Sequence, residues 1–421
     1  MRLLNTGTYE VGEPEYPITQ RYAILSHRWH AKEISYQHLE SAEKIAESIN
    51  LPHFAKIQSA CAKAASLGFQ WLWIDTCCIN KQDNAELTES LNSMYKWYRQ
   101  ASECLIYLSD VDHTVAKGPT PFAVAAADES ELRESQWFTR GWTLQELLAC
   151  QTARFYDVNW DEIGTKDTLA PDLQRITHIE AGYLDHRKNL QLASIATKLS
   201  WACDRITTRP EDKIYSLVGL FDVYLPIQYG EGLKKAFCRL QLELLTTPDE
   251  YLFAWTLPGP SWEPPPGYDS DEYGLLAPSI ECFGKSGGVT HVNKENYRPR
   301  SAAGYSMVQT GVMFAVPTIE FEKKEWNWYT ISGLFVPPAT IPLLAYAERR
   351  RNKFGFPLTL NCWNVNNGRV GAPVRIWIRK GDESSHFAVW RRFRCDEWIL
   401  GTQAARWRRS GPVTELAVAQ P

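Results

Sequence analysis

Tyr22-Ala23-Ile24-Leu25-Ser26-His27-Arg28-Trp29 is a short apolar run that ends in polar and aromatic side chains. Two later segments have the same design, WIDTCCIN at residues 73–80 and WFTRGWTLQELL at residues 137–148. Short apolar runs of this kind are typical of buried parallel strands, and ligands bind where loops gather at the carboxyl ends of such strands. The three segments therefore predict an α/β sheet with a binding site at one edge.

The first 160 residues alternate between strand-like and helix-like segments, which is typical of a parallel sheet flanked by helices. The predicted strands are Tyr22–Ser26, Trp71–Asp75, Cys104–Leu108 and Ala153–Tyr156. The predicted helices are Phe54–Leu67, which ends at Gly68, Ala85–Arg99 and Trp142–Ala149. The order of these elements predicts a flavodoxin-like core.

The remainder of the chain divides by its patterning into three parts. Helical spacing in residues 161–257 predicts three helices. They are Leu190–Cys203, a helix that includes Ile214 and Leu220, and Leu233–Leu245. A Pro-rich stretch predicts a linker at residues 258–274. Residues 275–421 contain β-type runs, which predict a C-terminal β-rich domain, and the tail beyond Arg409 is expected to be frayed. The β-type runs are Ser306–Val316, Trp328–Phe335, Leu358–Trp363, Val374–Ile378 and Phe387–Trp390. The predicted parts are therefore an α/β domain at 1–160, a helical extension at 161–257, the linker and the β-rich domain.

The composition is that of a folded protein and gives no indication of nucleic-acid binding. The chain of 421 residues has a net charge of −4 and is 44% hydrophobic, so a strongly basic surface is not expected. Its ten cysteines form no Cys-x-x-Cys pair, and their spacing predicts neither a zinc site nor a disulfide framework. The amino terminus turns polar too early for a signal peptide, and no apolar stretch has the length of a membrane span. We therefore expect a reduced, cytoplasmic protein.

Taken together, the three segments resemble the signature of the fungal heterokaryon-incompatibility (HET) domain family, and they follow the family's order. RPEDK at residues 209–213 and YGEG at residues 229–232 also resemble that family, so the likeness covers about the first 245 residues. The resemblance implies a factor in fungal self/non-self recognition and programmed cell death. It also implies self-association or an incompatibility partner protein.

The third segment also resembles the Trp-Cys-Leu-x-Glu-Leu segment of plant TIR domains, whose glutamate serves NAD cleavage. This likeness implies a TIR-like core in which Glu146 is the catalytic residue. The implied reaction is hydrolysis of the nicotinamide N-glycosidic bond of NAD. NAD is then a substrate, and no cofactor is expected.

Glu146 also has a structural interpretation. Thr143-Leu144-Gln145-Glu146 has the spacing of a capping box, in which the Glu146 carboxylate accepts a hydrogen bond from the Thr143 amide. A carboxylate in a first helical turn is expected to be held anionic by the helix dipole. An anion suits the stabilisation of an oxocarbenium-like ribose. The two roles are compatible, and the sequence leaves both open.

The residues that follow the first predicted strand are candidates for a nucleotide pocket. Arg28 can hold a pyrophosphate with two hydrogen bonds, and Trp29 can stack on a nucleobase. The resemblance to TIR domains places this loop, with Ser26 and His27, beside the nucleotide. The alternative is an ordinary strand-end loop, and for His27 alone that is the stronger interpretation.

Four further residues complete the predicted pocket: Asp75, Cys77, Arg140 and Trp142. Asp75 orients Arg28 or a ribose hydroxyl, or it only caps the turn that follows it. Cys77 lines the pocket in this hypothesis, and catalysis by its thiol is disfavoured because no orienting Asn or Asp is identifiable. Arg140 binds phosphate or pairs with a carboxylate.

Several common enzyme classes lose support because their motifs are missing. The chain has no Gly-x-Gly-x-x-Gly and no Walker A motif, which disfavours kinases and Rossmann dehydrogenases. Two functions from different classes remain. One is an NAD glycohydrolase, and the other is a non-enzymatic interaction module that assembles a death-signalling complex.

Overall fold

The computed structural model describes residues 1–13, 21–112, 131–246, 250–259, 262–263 and 276–291, and the backbone of six further strands between residues 305 and 419. The chain forms two compact units, Met1–Leu192 with Asp204–Ala236 and Ala193–Cys203 with Phe237–Pro421. The division at residues 160, 257 and 274 stays a prediction, and most of the predicted linker lies outside the described residues.

The first unit is built on a sheet to which seven strands of the described chain contribute. They are β1 (Leu3–Asn5), β2 (Val11–Gly12), β3 (Tyr22–His27), β4 (Trp71–Trp73), β5 (Glu103–Tyr107), β6 (Ala153–Tyr156) and β7 (Glu162–Thr165). Their order is β2-β1-β4-β3-β5-β6-β7. The four strands β4, β3, β5 and β6 run parallel, and the outer strands pair antiparallel. This mixed sheet with flanking helices confirms the predicted α/β class.

The order of the four parallel strands determines where a site can form. Along the sheet they are the second, first, third and fourth in the chain, an order that flavodoxin-like sheets also have. After β3 the chain forms β4 on one side of that strand and then β5 on the other side, so a topological switch point lies between β3 and β5. These two strands pair through Ser26↔Ile106 and His27↔Tyr107 at their carboxyl ends. Ligands bind in the crevice outside the strands at such a switch point. Ser26 and His27 therefore lie where the fold favours a binding site.

The helices of the first unit include α1 (Ala42–Ser48), α2 (Ala55–Ser66), α3 (Asn84–Gln100), α4 (Trp142–Ala149), α5 (Ala170–Thr177) and α6 (Ala181–Leu184). Of these helices, α2, α3 and α4 begin and end close to their predicted positions, and α1, α5 and α6 were not predicted. The φ of 84° at Gly68 ends α2, as glycine commonly does. Asp83 caps the start of α3, because its Oδ1 accepts hydrogen bonds of 2.9 and 3.2 Å from the amides of Ala85 and Glu86. Residues 143–149 of α4 are all buried, so this is a core helix.

Two predicted helices are interrupted in the structure. The predicted helix Leu190–Cys203 is a 3-10 turn at Leu190–Leu192 followed by α7 (Ile195–Ser200), because Ser194 caps a new helix. The predicted helix through Ile214 and Leu220 is two helices, α8 (Asp212–Tyr215) and α9 (Val218–Phe221). Between them, the Ser216 hydroxyl donates to the Lys213 carbonyl and competes with the helical pattern. α10 (Leu233–Leu244) has nearly its predicted bounds.

The RPEDK and YGEG segments contact each other. Glu211 Oε1 accepts hydrogen bonds from the amides of Gly230 and Gly232, both at 2.9 Å. The φ values of these glycines are 94° and 81°, a region that glycine adopts without strain. The guanidinium of Arg209 lies 4.0 Å from the centroid of the Tyr229 ring. The two segments therefore stabilise each other through direct contacts.

A second sheet contains seven described strands of residues 289–419. They are β8 (Val289–His291), β9 (Tyr305–Val308), β10 (Gly311–Ile319), β11 (Phe356–Asn364), β12 (Ala372–Lys380), β13 (Val389–Phe393) and β14 (Arg409–Ala419), in the order β8-β11-β12-β13-β14-β10-β9. The expectation of a frayed tail beyond Arg409 is wrong, because β14 pairs antiparallel along β10. The predicted strand Trp328–Phe335 lies outside the described residues, and an independent C-terminal β-rich domain stays a prediction.

Candidate functional site

Glu146 on α4 meets Ser26 at the end of β3. The Ser26 hydroxyl donates to Glu146 Oε2 and accepts a hydrogen bond of 2.9 Å from Trp137 Nε1. Ser26 is 0% exposed and Glu146 is 6% exposed. The capping-box interpretation of Glu146 is wrong, because α4 begins after Gly141 without a side-chain cap. The carboxyl group instead joins the helix to the central strand of the sheet.

Burial controls the protonation of Glu146. It raises the pKa of the carboxyl group from 4.5 to about 8. The Ser26 hydroxyl opposes this change, whereas the nearby Asp75 carboxylate adds to it. The expectation that the helix dipole holds Glu146 anionic is therefore wrong, since desolvation favours the neutral acid more strongly. A carboxyl group with a pKa this close to physiological pH can lose its proton when a cation approaches.

Asp75 links the loop after β4 to the loop after β3. Its Oδ2 accepts a hydrogen bond of 2.7 Å from Trp29 Nε1, and its Oδ1 lies 3.8 Å from His27 Nε2. Burial raises the pKa of Asp75, although 20% of its side chain is exposed. With the Ser26–Glu146 contact, these contacts confirm that the three sequence segments converge beyond the carboxyl ends of β3 and β4.

His27 is a neutral, fully buried imidazole at this edge of the sheet. Its side chain is 0% exposed. Burial lowers its pKa well below 6.5, and the cations of Lys56 and Lys81 lower it further. Neither ring nitrogen has a hydrogen-bond partner among the described atoms. The imidazole therefore retains one donor and one acceptor that the described protein does not use.

Two lysines beside this cluster were not predicted from the sequence. Lys56 on α2 forms an ion pair with Glu33, and both side chains are largely buried. Lys81 Nζ lies 3.7 Å from the centroid of the Trp29 ring. Lys81 follows the WIDTCCIN segment directly, so its position in the sequence was a usable signal. Lys56 gave no such signal, because it lies in an Ala-rich helix far from the three segments.

Trp137 and Tyr98 are further residues at the site that the predicted pocket did not include. Trp137 holds the Ser26 hydroxyl, and it lies in the third segment. The Tyr98 hydroxyl donates to the Leu25 carbonyl at 3.0 Å and also interacts with the Glu146 carboxyl group. Tyr98 is a buried residue of α3, and its position in that helix gave no sign of a role at the site.

Arg140 and Trp142 contact the segment after residue 204. The Arg140 guanidinium donates to Thr208 Oγ1 at 3.3 Å, and Trp142 forms a hydrogen bond with Asp212. Gly141 lies between them, and a Cβ atom there would be 2.4 Å from Thr207 Cγ2. Glycine at position 141 therefore allows the backbone to approach the Thr207 side chain closely. The described contacts of Arg140 and Trp142 do not connect them to Asp75 or Trp29.

Arg28 and Cys77 differ sharply in exposure. Arg28 is exposed and forms no hydrogen bond or ion pair with another described residue. Cys77 is 0% exposed. The neighbouring Cys78 thiol and burial raise the pKa of Cys77 well above 9, which makes its thiol a weak nucleophile. Within the described ranges, no group of three or more His, Cys, Asp or Glu side chains is arranged to hold a metal ion.

Comparison with known proteins finds two similarities to this chain. Residues 22–128 match the model of the family described as heterokaryon incompatibility protein (HET). The likeness to the HET family that the sequence shows is confirmed for these residues, whereas the TIR-like core stays a prediction. The vegetative incompatibility protein HET-E-1 of Podospora anserina is 38% identical to the chain over 224 residues, which are 52% of this chain and 16% of that protein. No solved structure matches the chain.

One further property bears on the environment of the protein. None of the helices in the described residues combines the length and the apolar character that a bilayer crossing requires.

Proposed function

We propose that this chain acts in fungal self/non-self recognition and programmed cell death, and that it does so by hydrolysing the nicotinamide N-glycosidic bond of NAD. The HET family match and the name of the Podospora relative support the role in heterokaryon incompatibility. The likeness of the α4 segment to the TIR glutamate segment supports the reaction and a TIR-like core. In this proposal the protein acts in the cytoplasm, and an incompatibility partner or a second copy of the chain activates it.

The contact between Glu146 and Ser26 is the observation that carries the proposed reaction. It brings a carboxyl group to the switch point of the sheet, where the fold favours a ligand. Trp29 lies in the loop after β3 and suits a base, and Asp75 lies in the loop after the neighbouring β4 and suits a ribose hydroxyl. The influence of Asp75 on the pKa of Glu146 supports their proximity.

In the proposed reaction, the bond between ribose C1′ and the nicotinamide nitrogen breaks, and its electron pair leaves with nicotinamide. Water attacks the oxocarbenium-like ribose and releases a proton, which gives ADP-ribose. The positive charge of NAD lowers the pKa of Glu146, so the carboxyl group ionises when the substrate binds. The resulting anion stabilises the ribose cation, and its low exposure strengthens that attraction.

The alternative is a non-enzymatic interaction module, and one observation favours it. Glu146 is only 6% exposed, and its carboxyl group already has the Ser26 hydroxyl as a partner. In this alternative the role of the buried carboxyl group is structural, and it holds α4 against β3. Trp29, which is 47% exposed, then belongs to a contact surface for a partner protein.

The substitution Glu146→Gln distinguishes the two functions. Glutamine keeps the shape and a hydrogen-bond acceptor but removes the charge. We expect a folded variant that does not consume NAD and does not kill cells in which the parent chain is toxic, with turnover reduced at least about 100-fold. Glu47→Gln, at an exposed position of α1, is the matched control and should behave as the parent does. A Glu146→Gln variant that stays fully toxic overturns NAD hydrolysis in favour of the interaction module.

A further inference from the structure

We propose that Lys81 and Trp29 form a binding site for the diphosphate group of a nucleotide. Lys81 Nζ lies 3.7 Å from the centroid of the Trp29 ring, and the Trp29 indole is fixed by its hydrogen bond to Asp75. This inference deepens the proposed function by assigning the residue that holds the phosphates. Only the identity of the nucleotide as NAD rests on that function.

The Lys81 ammonium is attracted by the nearby Asp75 and Glu33 carboxylates but forms an ion pair with neither of them. A lysine cation is attracted to the face of an indole ring. Among the described residues Lys81 forms no hydrogen bond or ion pair, so its N–H donors remain for a ligand. The side chain is half-buried, and burial lowers its pKa from 10.5. An anion that binds at Lys81 offsets the cost of keeping this cation away from water.

The hydrogen bonds of the neighbouring carboxylates are formed with groups other than Lys81. Asp75 accepts the hydrogen bond from Trp29 through Oδ2, and its Oδ1 faces His27. Glu33 Oε1 binds the Lys56 ammonium and also accepts a hydrogen bond of 2.6 Å from the His30 amide. Lys81 therefore has capacity for a phosphate, whereas Lys56 is already paired with Glu33.

Buried polar atoms without partners point independently to a ligand at the same edge. Both ring nitrogens of His27 and the hydroxyl of Thr76 are buried and have no hydrogen-bond partner among the described atoms. Buried polar groups normally have partners, so such a group indicates a missing water or ligand. The neutral His27 ring offers one donor and one acceptor, which a ribose hydroxyl can match. A nucleotide supplies this hydroxyl and the diphosphate together.

Calorimetric titration of the full chain with ADP-ribose and with adenosine tests the proposal. Lys81→Gln should weaken the binding of ADP-ribose about 10- to 100-fold, as expected for loss of a charge-assisted hydrogen bond. The binding of adenosine, which has no phosphate, should not change. Lys81→Arg should retain most of the affinity for ADP-ribose, and Lys32→Gln, an exposed control in the same region, should retain all of it.

Three results would overturn the site. The first is a parent chain that does not bind ADP-ribose. The second is a Lys81→Gln variant that binds ADP-ribose as the parent does. The third is an equal loss for ADP-ribose and adenosine, which would mean that Lys81 only positions Trp29. If NAD is not hydrolysed but ADP-ribose binding depends on Lys81, the proposed reaction fails and the phosphate site stands.

Discussion

Replacing Glu146 by glutamine should change how the stability of the protein depends on pH. The folded chain raises the pKa of Glu146 from 4.5 to about 8, so between these values it holds the proton more tightly than the unfolded chain does. The stabilising effect of protonation is fully present below the unfolded pKa and is lost as the pH rises through the folded pKa. At 1.36 kcal/mol per pKa unit, this loss is roughly 5 kcal/mol.

Glutamine has no proton to lose, so the variant should not show this decline. The unfolding free energy of Glu146→Gln minus that of the parent should therefore increase by roughly 5 kcal/mol between about pH 4 and pH 9. Denaturant unfolding at several pH values measures it, and the contributions of groups that do not interact with Glu146 cancel in the difference. Glu47→Gln, at an exposed position, should give a difference that stays near zero. A constant difference for Glu146→Gln would refute the burial argument and show that the carboxyl group is solvated.

Three further results follow from single contacts. Gly141→Ala should destabilise the protein by about 1–3 kcal/mol in denaturant unfolding, because its Cβ atom meets the Thr207 methyl group, and adding Thr207→Ser should restore part of the loss. Trp137→Phe should cost about 1 kcal/mol through the lost hydrogen bond to Ser26, and an unchanged midpoint would contradict that contact. The ring signals of His27 should not titrate in NMR spectra between pH 8 and pH 6, because burial keeps the imidazole neutral.

The sequence predicts the frame of the site because strand and helix positions depend on local patterns. The bounds of α4, Trp142–Ala149, are those predicted, and β3 differs from its prediction only by the inclusion of His27. Each pattern extends over a few residues, so it needs no knowledge of the rest of the fold. The convergence of the three segments also followed, since parallel strands end at a common edge.

The partners of Glu146 could not be predicted in this way. The capping-box spacing is a local signal, whereas the Ser26 hydroxyl that binds Glu146 lies 120 residues away in the chain. The protonation state of Glu146 was predicted wrongly for the same reason. The effect of the helix dipole can be inferred from the position of a residue in the sequence, whereas its burial cannot. Lys81 and Tyr98 likewise gain their importance only from neighbours on other elements.

The Ser26–Glu146 contact also determines which fragment of the chain can contain the complete site. The family match ends at residue 128, before both Trp137 and Glu146. A fragment cut at that boundary keeps β3, β4 and β5 but leaves the Ser26 hydroxyl without either of its partners. During synthesis the same order holds, since Ser26 leaves the ribosome long before α4 exists. A nascent chain therefore carries only an incomplete site until α4 has been made.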